Sequence, residues 1–178
     1  MTVYCDQTTD GGGWVVLQRR VSPFRTSFNK MWSGFRQGFG DINGEFWLGN
    51  IKIHRLTAAG LSNLRIDLTA TGNHSGFAKY SGFNVANNGD NYRWTMQWHS
   101  GNIGNSIGIP HRDWNQVGRQ FSTPDFDNDG FTGGSCARER KSGWWFNYCG
   151  YADLNQDGVP FWNTWTAKKV IQSEMKVR

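Results

Sequence analysis

Three carboxylates alternate with other side chains in Asp125-Phe126-Asp127-Asn128-Asp129-Gly130. Acidic groups spaced this way in a turn can aim several hard oxygens at one point. Calcium needs about six to eight such oxygens, and unpaired loop carbonyls can supply some of them. The competing reading is a solvated acidic turn, which would leave like charges crowded with no compensating ion. The segment opens like an EF-hand loop, but Cys136 occupies the position of the bidentate Glu and no flanking helices are apparent. A different kind of calcium loop is therefore expected. Asp153, Asn155, Asp157 and Gly158 repeat the spacing more weakly, with Thr164 where an EF-hand needs Glu, and read as a plain turn.

Gly104-Asn105-Ser106-Ile107-Gly108 matches the G-x-S-x-G nucleophile elbow. That elbow requires a buried strand before the serine and a helix after it. Here glycine and asparagine flank it on both sides, and His111 lies too near to serve as a triad partner, so a hydrolase is not expected. His54, His74 and His99 have no metal-ligand spacing and read as surface or packing residues. Zinc is excluded because no C-x-x-C pair exists. Three cysteines leave one thiol free, paired between chains, or without its partner. A bond between Cys136 and Cys149 would close a loop worth roughly 3 kcal/mol of stability and would belong in an oxidising compartment. Asn73-His74-Ser75 is a glycosylation sequon, which fits secretion.

The 178 residues suit one domain with one core. No stretch approaches the roughly 20 apolar residues of a membrane span. The net charge of +5 comes from scattered Lys and Arg without a long basic run. That distribution argues against nucleic acid and allows a mild preference for anionic partners. Twenty-three glycines and ten tryptophans indicate short strands and much ordered loop, not a helical bundle. Gly13 to Arg20, Leu64 to Leu68, Tyr92 to Trp98 and Lys169 to Val177 read as strands. In two of them, Leu64, Ile66 and Leu68, then Tyr92, Trp94, Met96 and Trp98, apolar side chains alternate. Phe28, Met31, Trp32 and Phe35 form the stripe of a short amphipathic helix. Ile51 to Ala59 reads as a second helix, with Asn50 as its N-cap and Gly60 past its end. Between Trp98 and Lys169 the pattern breaks down. A loop region that long is functional or disordered, and its aromatics argue against disorder. Gly143-Trp144-Trp145-Phe146 reads as the core of this region, with at least one ring face available to line a pocket.

The residues also resemble a known family. Cys5-Asp6 with Thr9-Asp10-Gly11-Gly12-Gly13-Trp14, Gln18-Arg19-Arg20, Gly38-Phe39-Gly40 and Gly44-Glu45-Phe46-Trp47-Leu48-Gly49-Asn50 carry the resemblance in the first third. Leu64-Arg65-Ile66-Asp67-Leu68, Phe121-Ser122-Thr123, Asp127-Asn128-Asp129, Cys136-Ala137, Gly143-Trp144-Trp145-Phe146, Cys149 and Glu174-Met175-Lys176 continue it in order. Together they resemble the fibrinogen-like C-terminal domain of ficolins, tachylectins, tenascins, angiopoietins and fibrinogen chains.

That resemblance implies an α+β fold, with a central, mostly antiparallel twisted sheet, short helices and a loop-rich calcium and ligand subdomain. It implies one domain over 1–178, N-terminally incomplete. Residues 1–20 would be a remnant of the N-terminal subdomain, 21–100 and 165–178 the central sheet, and 101–164 the calcium and ligand loops. Calcium would be held by the carboxylates of Asp127 and Asp129 and the carbonyls of Phe131 and Gly133, with water. Cys136 would bond Cys149, Cys5 would lack its partner, and the Tyr148–Cys149 peptide would be cis. The ligand would meet Arg140, Phe146, Tyr148, Cys149 and Gly150. Gly150 stands where family lectins carry His, and Arg140 where some carry an aromatic. The loop after Asn155 is shortened, and Arg140 would favour a carboxylate or sulfate. The implied protein is a secreted, non-enzymatic, calcium-binding recognition domain of lectin type, serving innate defence and binding acetylated or anionic glycans. The alternative is a module for a cell-surface or matrix protein. Membrane insertion is not implied, and the parent protein would be oligomeric through upstream segments.

Overall fold

The computed structural model describes residues 1–165 and 169–178. Its strands are β1 (Tyr4–Asp6), β2 (Trp14–Val21), β3 (Phe39–Gly40), β4 (Phe46–Trp47), β5 (Leu64–Ala70) and β6 (His74–Tyr80). β7 (Asn84–Val85), β8 (Trp94–Thr95), β9 (His99–Gly101), β10 (Ala152–Asp153), β11 (Phe161–Trp162) and β12 (Val170–Val177) follow. The helices are short: α1 (Trp32–Gln37), α2 (Asn50–Ala58) and α3 (Cys136–Arg140). The main sheet runs β3-β4-β2-β12-β5-β6-β9, with β1 added beside β2. Every pairing in it is antiparallel. The fold is thus α+β, as the resemblance implies. The expected 165–178 segment of the central sheet includes residues 166–168, which lie outside the described residues.

The period-2 pattern in the sequence separates the two faces of this sheet. Leu64, Ile66 and Leu68 of β5 face the core, as do Met175 and Val177 of β12. The other face carries Arg19, Arg65, Asp67, Glu174 and Lys176, which pair across strands. Arg19 Nε lies 2.6 Å from Glu174, and Arg65 NH2 lies 2.7 Å from Asp67. The Lys176 ammonium reaches Asp6 at 2.7 Å, Glu174 at 2.9 Å and Asp67 at 3.0 Å. Each of these charged groups finds an opposite partner as it leaves water, so none is buried uncompensated.

α2 presents Asn50, Ile53 and Thr57 to the interior, one helical face. Its cap is Gly49, at φ 107°, where a Cβ would stand 2.5 Å from the Gln37 carbonyl oxygen, so glycine is required there. Asn50, expected as the cap, is inside the first turn and accepts instead from Trp47 Nε1 at 3.1 Å. The expected helix around residues 28–35 begins only at Trp32, and Phe28 N donates to Asp157 Oδ1 at 2.9 Å.

From Asn102 to Ser135 the described residues form no regular helix or strand. A tryptophan-rich core holds this stretch in place. Trp94 and Trp145 stack with centroids 4.1 Å apart and planes 6° from parallel. Phe121 meets Trp145 edge-on at 4.9 Å, and Trp47 and Phe35 extend the cluster to the sheet and α1. The polar edges of these rings are satisfied. Trp145 Nε1 donates to the Tyr92 carbonyl at 2.7 Å, and Trp94 Nε1 to that of Gln116 at 2.6 Å.

Candidate calcium and ligand site

The acidic loop leaves the core through two short antiparallel bridges, Ser122 to Trp144 and Thr123 to Phe126. Its first carboxylate belongs to local structure. Asp125 Oδ1 accepts from Trp32 N at 2.8 Å and from Thr123 Oγ1 at 2.7 Å. Asp125 thereby anchors the loop to the start of α1. Asn128 turns inward, donating through Nδ2 to the Phe121 carbonyl at 2.8 Å and accepting from Asn91 at 3.1 Å.

Asp127 and Asp129 lie close to each other. Asp127 Oδ1 accepts from Asp129 N at 3.1 Å. Asp129 accepts from Phe131 N at 2.7 Å and from Cys136 N at 2.8 Å, one bond to each oxygen. Burial pushes the Asp129 carboxyl up to about 6, the Asp127 charge adds to the rise, and the two backbone hydrogen bonds oppose it. Among the described residues neither carboxylate forms an ion pair. No third Asp, Glu, His or Cys among them joins the pair as a metal-ligating group. The donor set on offer is thus two carboxylates plus loop carbonyls. The Phe131 carbonyl is one, accepting only a long 3.4 Å bond from Gly134 N. Such an all-oxygen set, short of positive charge, fits a hard divalent cation and not zinc.

The loop is tied to the second half of the site by Gly130 N, which donates to the Asn147 carbonyl at 2.8 Å. Cys136 and Cys149 are bonded, with Cα atoms 5.1 Å apart and a sequence separation of 13. Cys5 is a free, exposed cysteine. Just before the bonded Cys149, Tyr148 is 48% exposed and meets Phe131 edge-on at 4.8 Å. Cys149 and Gly150 both adopt left-handed backbone, with φ of 53° and 69°, and Gly150 N donates back to the Tyr148 carbonyl at 2.8 Å. The Tyr148–Cys149 peptide is trans, whereas the resemblance implies a cis bond. Two successive left-handed residues reverse the backbone without it.

Two expected ligand residues are not open to solvent. Phe146 is fully buried in the aromatic core. Gly150 is buried as well, and a Cβ there would meet the Gln116 side chain at 2.5 Å. Arg140 is half-buried, its guanidinium 4.9 Å from the Phe161 centroid and 5.7 Å from that of Phe146. Its NH2 donates to the Gly150 carbonyl at 3.0 Å, while NH1 has no partner among the described residues. Burial pulls Arg140 below the usual arginine range, opposed by the charges of Asp153 and Glu139. Asp153 is wholly buried and pushed up to about 6, with Arg140 and the Ser142 hydroxyl at 2.6 Å opposing the rise.

No sequence motif singles out Asn147. Its Nδ2 donates to the carbonyls of Arg112 and Asn115 at 2.9 and 3.0 Å, holding the 110–115 loop against the disulfide. That loop adds a ladder of rings, His111 on Trp114 at 4.2 Å and Trp114 on Tyr151 at 4.9 Å. Nothing local in the sequence marks either feature, since both depend on contacts between distant segments. The second acidic cluster is consumed internally: Asp153 accepts from Asn155 N, and Asp157 from Phe28 N. Ser106 is buried and its Oγ lies 2.8 Å from Thr164 Oγ1. His54 Nδ1 bonds the Val85 carbonyl, His74 stands at a hairpin turn and His99 packs on Tyr80.

Replacing both Cys136 and Cys149 by Ala is expected to lower stability by about 3 kcal/mol, from the larger unfolded ensemble. Urea unfolding of oxidised wild type and the double variant checks this. A loss under about 1 kcal/mol would refute the unfolded-ensemble account.

The family model described as "Fibrinogen beta and gamma chains, C-terminal globular domain" matches residues 1–178. The sequence is 43% identical over 175 residues to fibrinogen-like protein 1 of Mesocricetus auratus, covering 94% of this protein and 54% of that one. It is 44% identical over 156 residues to ryncolin-4 of Cerberus rynchops, covering 87% of this protein and 43% of that one. It therefore spans about half the length of these relatives. Among solved structures it is similar to the fibrinogen-like globe domain of human ANGPTL2, with TM-score 0.91 and 34% identity over 100% of this protein and 85% of that one. It is also similar to the lamprey fibrin D-dimer complexed with the peptide Gly-His-Arg-Pro-amide, with TM-score 0.89 and 33% identity over 98% of this protein and 63% of that one. The protein belongs to the family of fibrinogen C-terminal globular domains.

Proposed function

We propose that this protein is a secreted, non-enzymatic recognition domain that binds calcium at Asp127 and Asp129 and reads its ligand beside the Cys149–Gly150 turn. The observation that carries this reading is the pair of adjacent carboxylates with no ion-pair partner among the described residues, on a loop hydrogen-bonded to Cys136 and Asn147 beside the exposed Tyr148. The carbonyls of Phe131 and Gly133 and water would complete the shell. Bound calcium would supply the positive charge the pair lacks and fix the loop. The disulfide supports an oxidising compartment. Among the described residues no helix is long and apolar enough to cross a membrane.

Extracellular calcium modules bind with dissociation constants of roughly 0.1–1 mM. At about 1 mM calcium, the tight end of that range adds about 1.4 kcal/mol. EDTA is therefore expected to lower the melting temperature by about 3–5 °C. Asp127→Ala should abolish the difference. Equal melting curves with calcium and with EDTA in the wild type would remove the site.

The ligand is an acetylated or anionic glycan. Exposed Tyr148 and the His111–Trp114–Tyr151 ladder offer ring faces to sugars. Glycan-array binding should depend on calcium and fall at least about tenfold in Tyr148→Ala, the effect of losing one aromatic contact. A silent array would favour the second reading, a cell-surface or matrix protein ligand. The likeness to a fibrin D-dimer structure holding a peptide supports that reading.

A further inference from the structure

The sequon Asn73-His74-Ser75 is the sequence's acceptor for an asparagine-linked sugar. The fold places it at the tip of the β5–β6 hairpin. Ala70 pairs with His74, so Thr71, Gly72 and Asn73 make a three-residue connection. Gly72 and Asn73 carry φ of 79° and 57°, left-handed values that asparagine tolerates better than most residues. All residues from Thr71 to Ser75 are exposed, and burial begins only at Gly76. The Ser75 hydroxyl lies on the sheet surface, 3.3 Å from Thr69 Oγ1.

We propose that Asn73 is an N-glycosylation site. This rests on the secretory reading above, because the modification requires the lumen of that pathway. The donor is a lipid-linked oligosaccharide diphosphate. The Asn73 amide nitrogen bonds to C1 of the first sugar and loses one proton. The C1–oxygen bond to the diphosphate breaks, and the polyprenyl diphosphate leaves with the bonding pair. Transfer takes place on the extended polypeptide, so the folded protein must still leave the glycan room. Here it does: the amide sits at a turn tip outside the core, and the position after it is His, which does not block transfer as proline would. A bulky polar glycan on this tip would keep the hairpin end solvated.

The test is expression in eukaryotic cells behind an added secretory leader. Intact-mass analysis of the exported protein should show a glycan increment that peptide-N-glycosidase removes, converting Asn73 to Asp. Asn73→Gln and Ser75→Ala should each lose the increment almost completely, and Ser75→Thr should keep it. Exported wild type with the disulfide formed and the mass of the bare polypeptide would overturn the assignment, as would an unchanged increment in Asn73→Gln. Because the leader drives export, a bare Asn73 counts against this site alone. Loss of calcium or glycan binding in the same sample counts against the recognition site instead.

Discussion

Trp145→Ala is expected to lower stability by about 3–5 kcal/mol, the range for emptying a fully buried aromatic site. Trp145 has no exposed surface. It stacks on Trp94, meets Phe121 and Trp144 edge-on, and bonds the Tyr92 carbonyl through Nε1. The substitution opens a cavity and leaves that carbonyl without its donor, so the two costs act together. It also removes the ring that joins the sheet to the irregular region. The denaturation midpoint should fall sharply. Trp145→Phe should cost less, because one ring still fills part of the space. A midpoint shift equivalent to under about 1 kcal/mol in Trp145→Ala would mean that the ring is not a keystone of the core.

Lys176→Met is expected to cost about 3 kcal/mol for the opposite reason: it leaves the Asp6 carboxylate without its cation, while Glu174 and Asp67 keep Arg19 and Arg65. Lys176 is 1% exposed and faces Asp6, Asp67 and Glu174. Burial alone would pull the ammonium down, but its bonds to Asp6 and Glu174 and the Asp67 charge outweigh that and raise it above the usual lysine value. Asp6 moves the other way: burial raises it, yet the bonds from Lys176 and Thr9 hold it well below the usual carboxylate range. The depressed Asp6 contributes stability that is full above its unfolded value of 3.8 and is lost as pH falls further. The raised Lys176 contributes stability that is full below its unfolded value of 10.5 and is lost as pH climbs through its folded value. The gap between wild type and Lys176→Met should therefore be widest between those limits and narrow in acid. Urea titrations at neutral pH and near pH 3, roughly one unit below the unfolded carboxylate value, check this. A gap that does not depend on pH would refute the ionic account.

Where local periodicity governs, the sequence is readable. β5 begins where expected and ends two residues later, because its side chains alternate between a core and an ionic face, and β2 starts within one residue of its expected place after the Gly11–Gly13 turn. The Tyr92 to Trp98 alternation shows the limit. Tyr92, Trp94 and Met96 are buried as the pattern implies, yet only Trp94–Thr95 forms a ladder and Trp98 is 83% exposed. Asn91 and Tyr92 take left-handed backbone just before it, a turn the side-chain pattern does not encode. At the site, the bonded cysteines and the paired Asp127 and Asp129 follow from the resemblance. Asp125 cannot be assigned from spacing, because its role is fixed by Trp32, 93 positions away. Phe146 is buried, as the core reading of Gly143 to Phe146 expects, whereas the resemblance places it at the ligand. An aromatic inside a loop reads alike whether its ring faces solvent or the core, and the tertiary packing of the buried cluster decides.

β12 lies between β2 and β5, strands drawn from the first half of the sequence. Until residues 170–177 emerge from the ribosome, the two halves of the sheet have unpaired inner edges facing each other. Closure is then a late insertion that joins distant parts of the polypeptide, and such non-local pairing is slow. The unfinished domain would expose aggregation-prone strands during synthesis, and holding factors in the compartment where it matures would matter more than for a protein whose sheet assembles in sequence order.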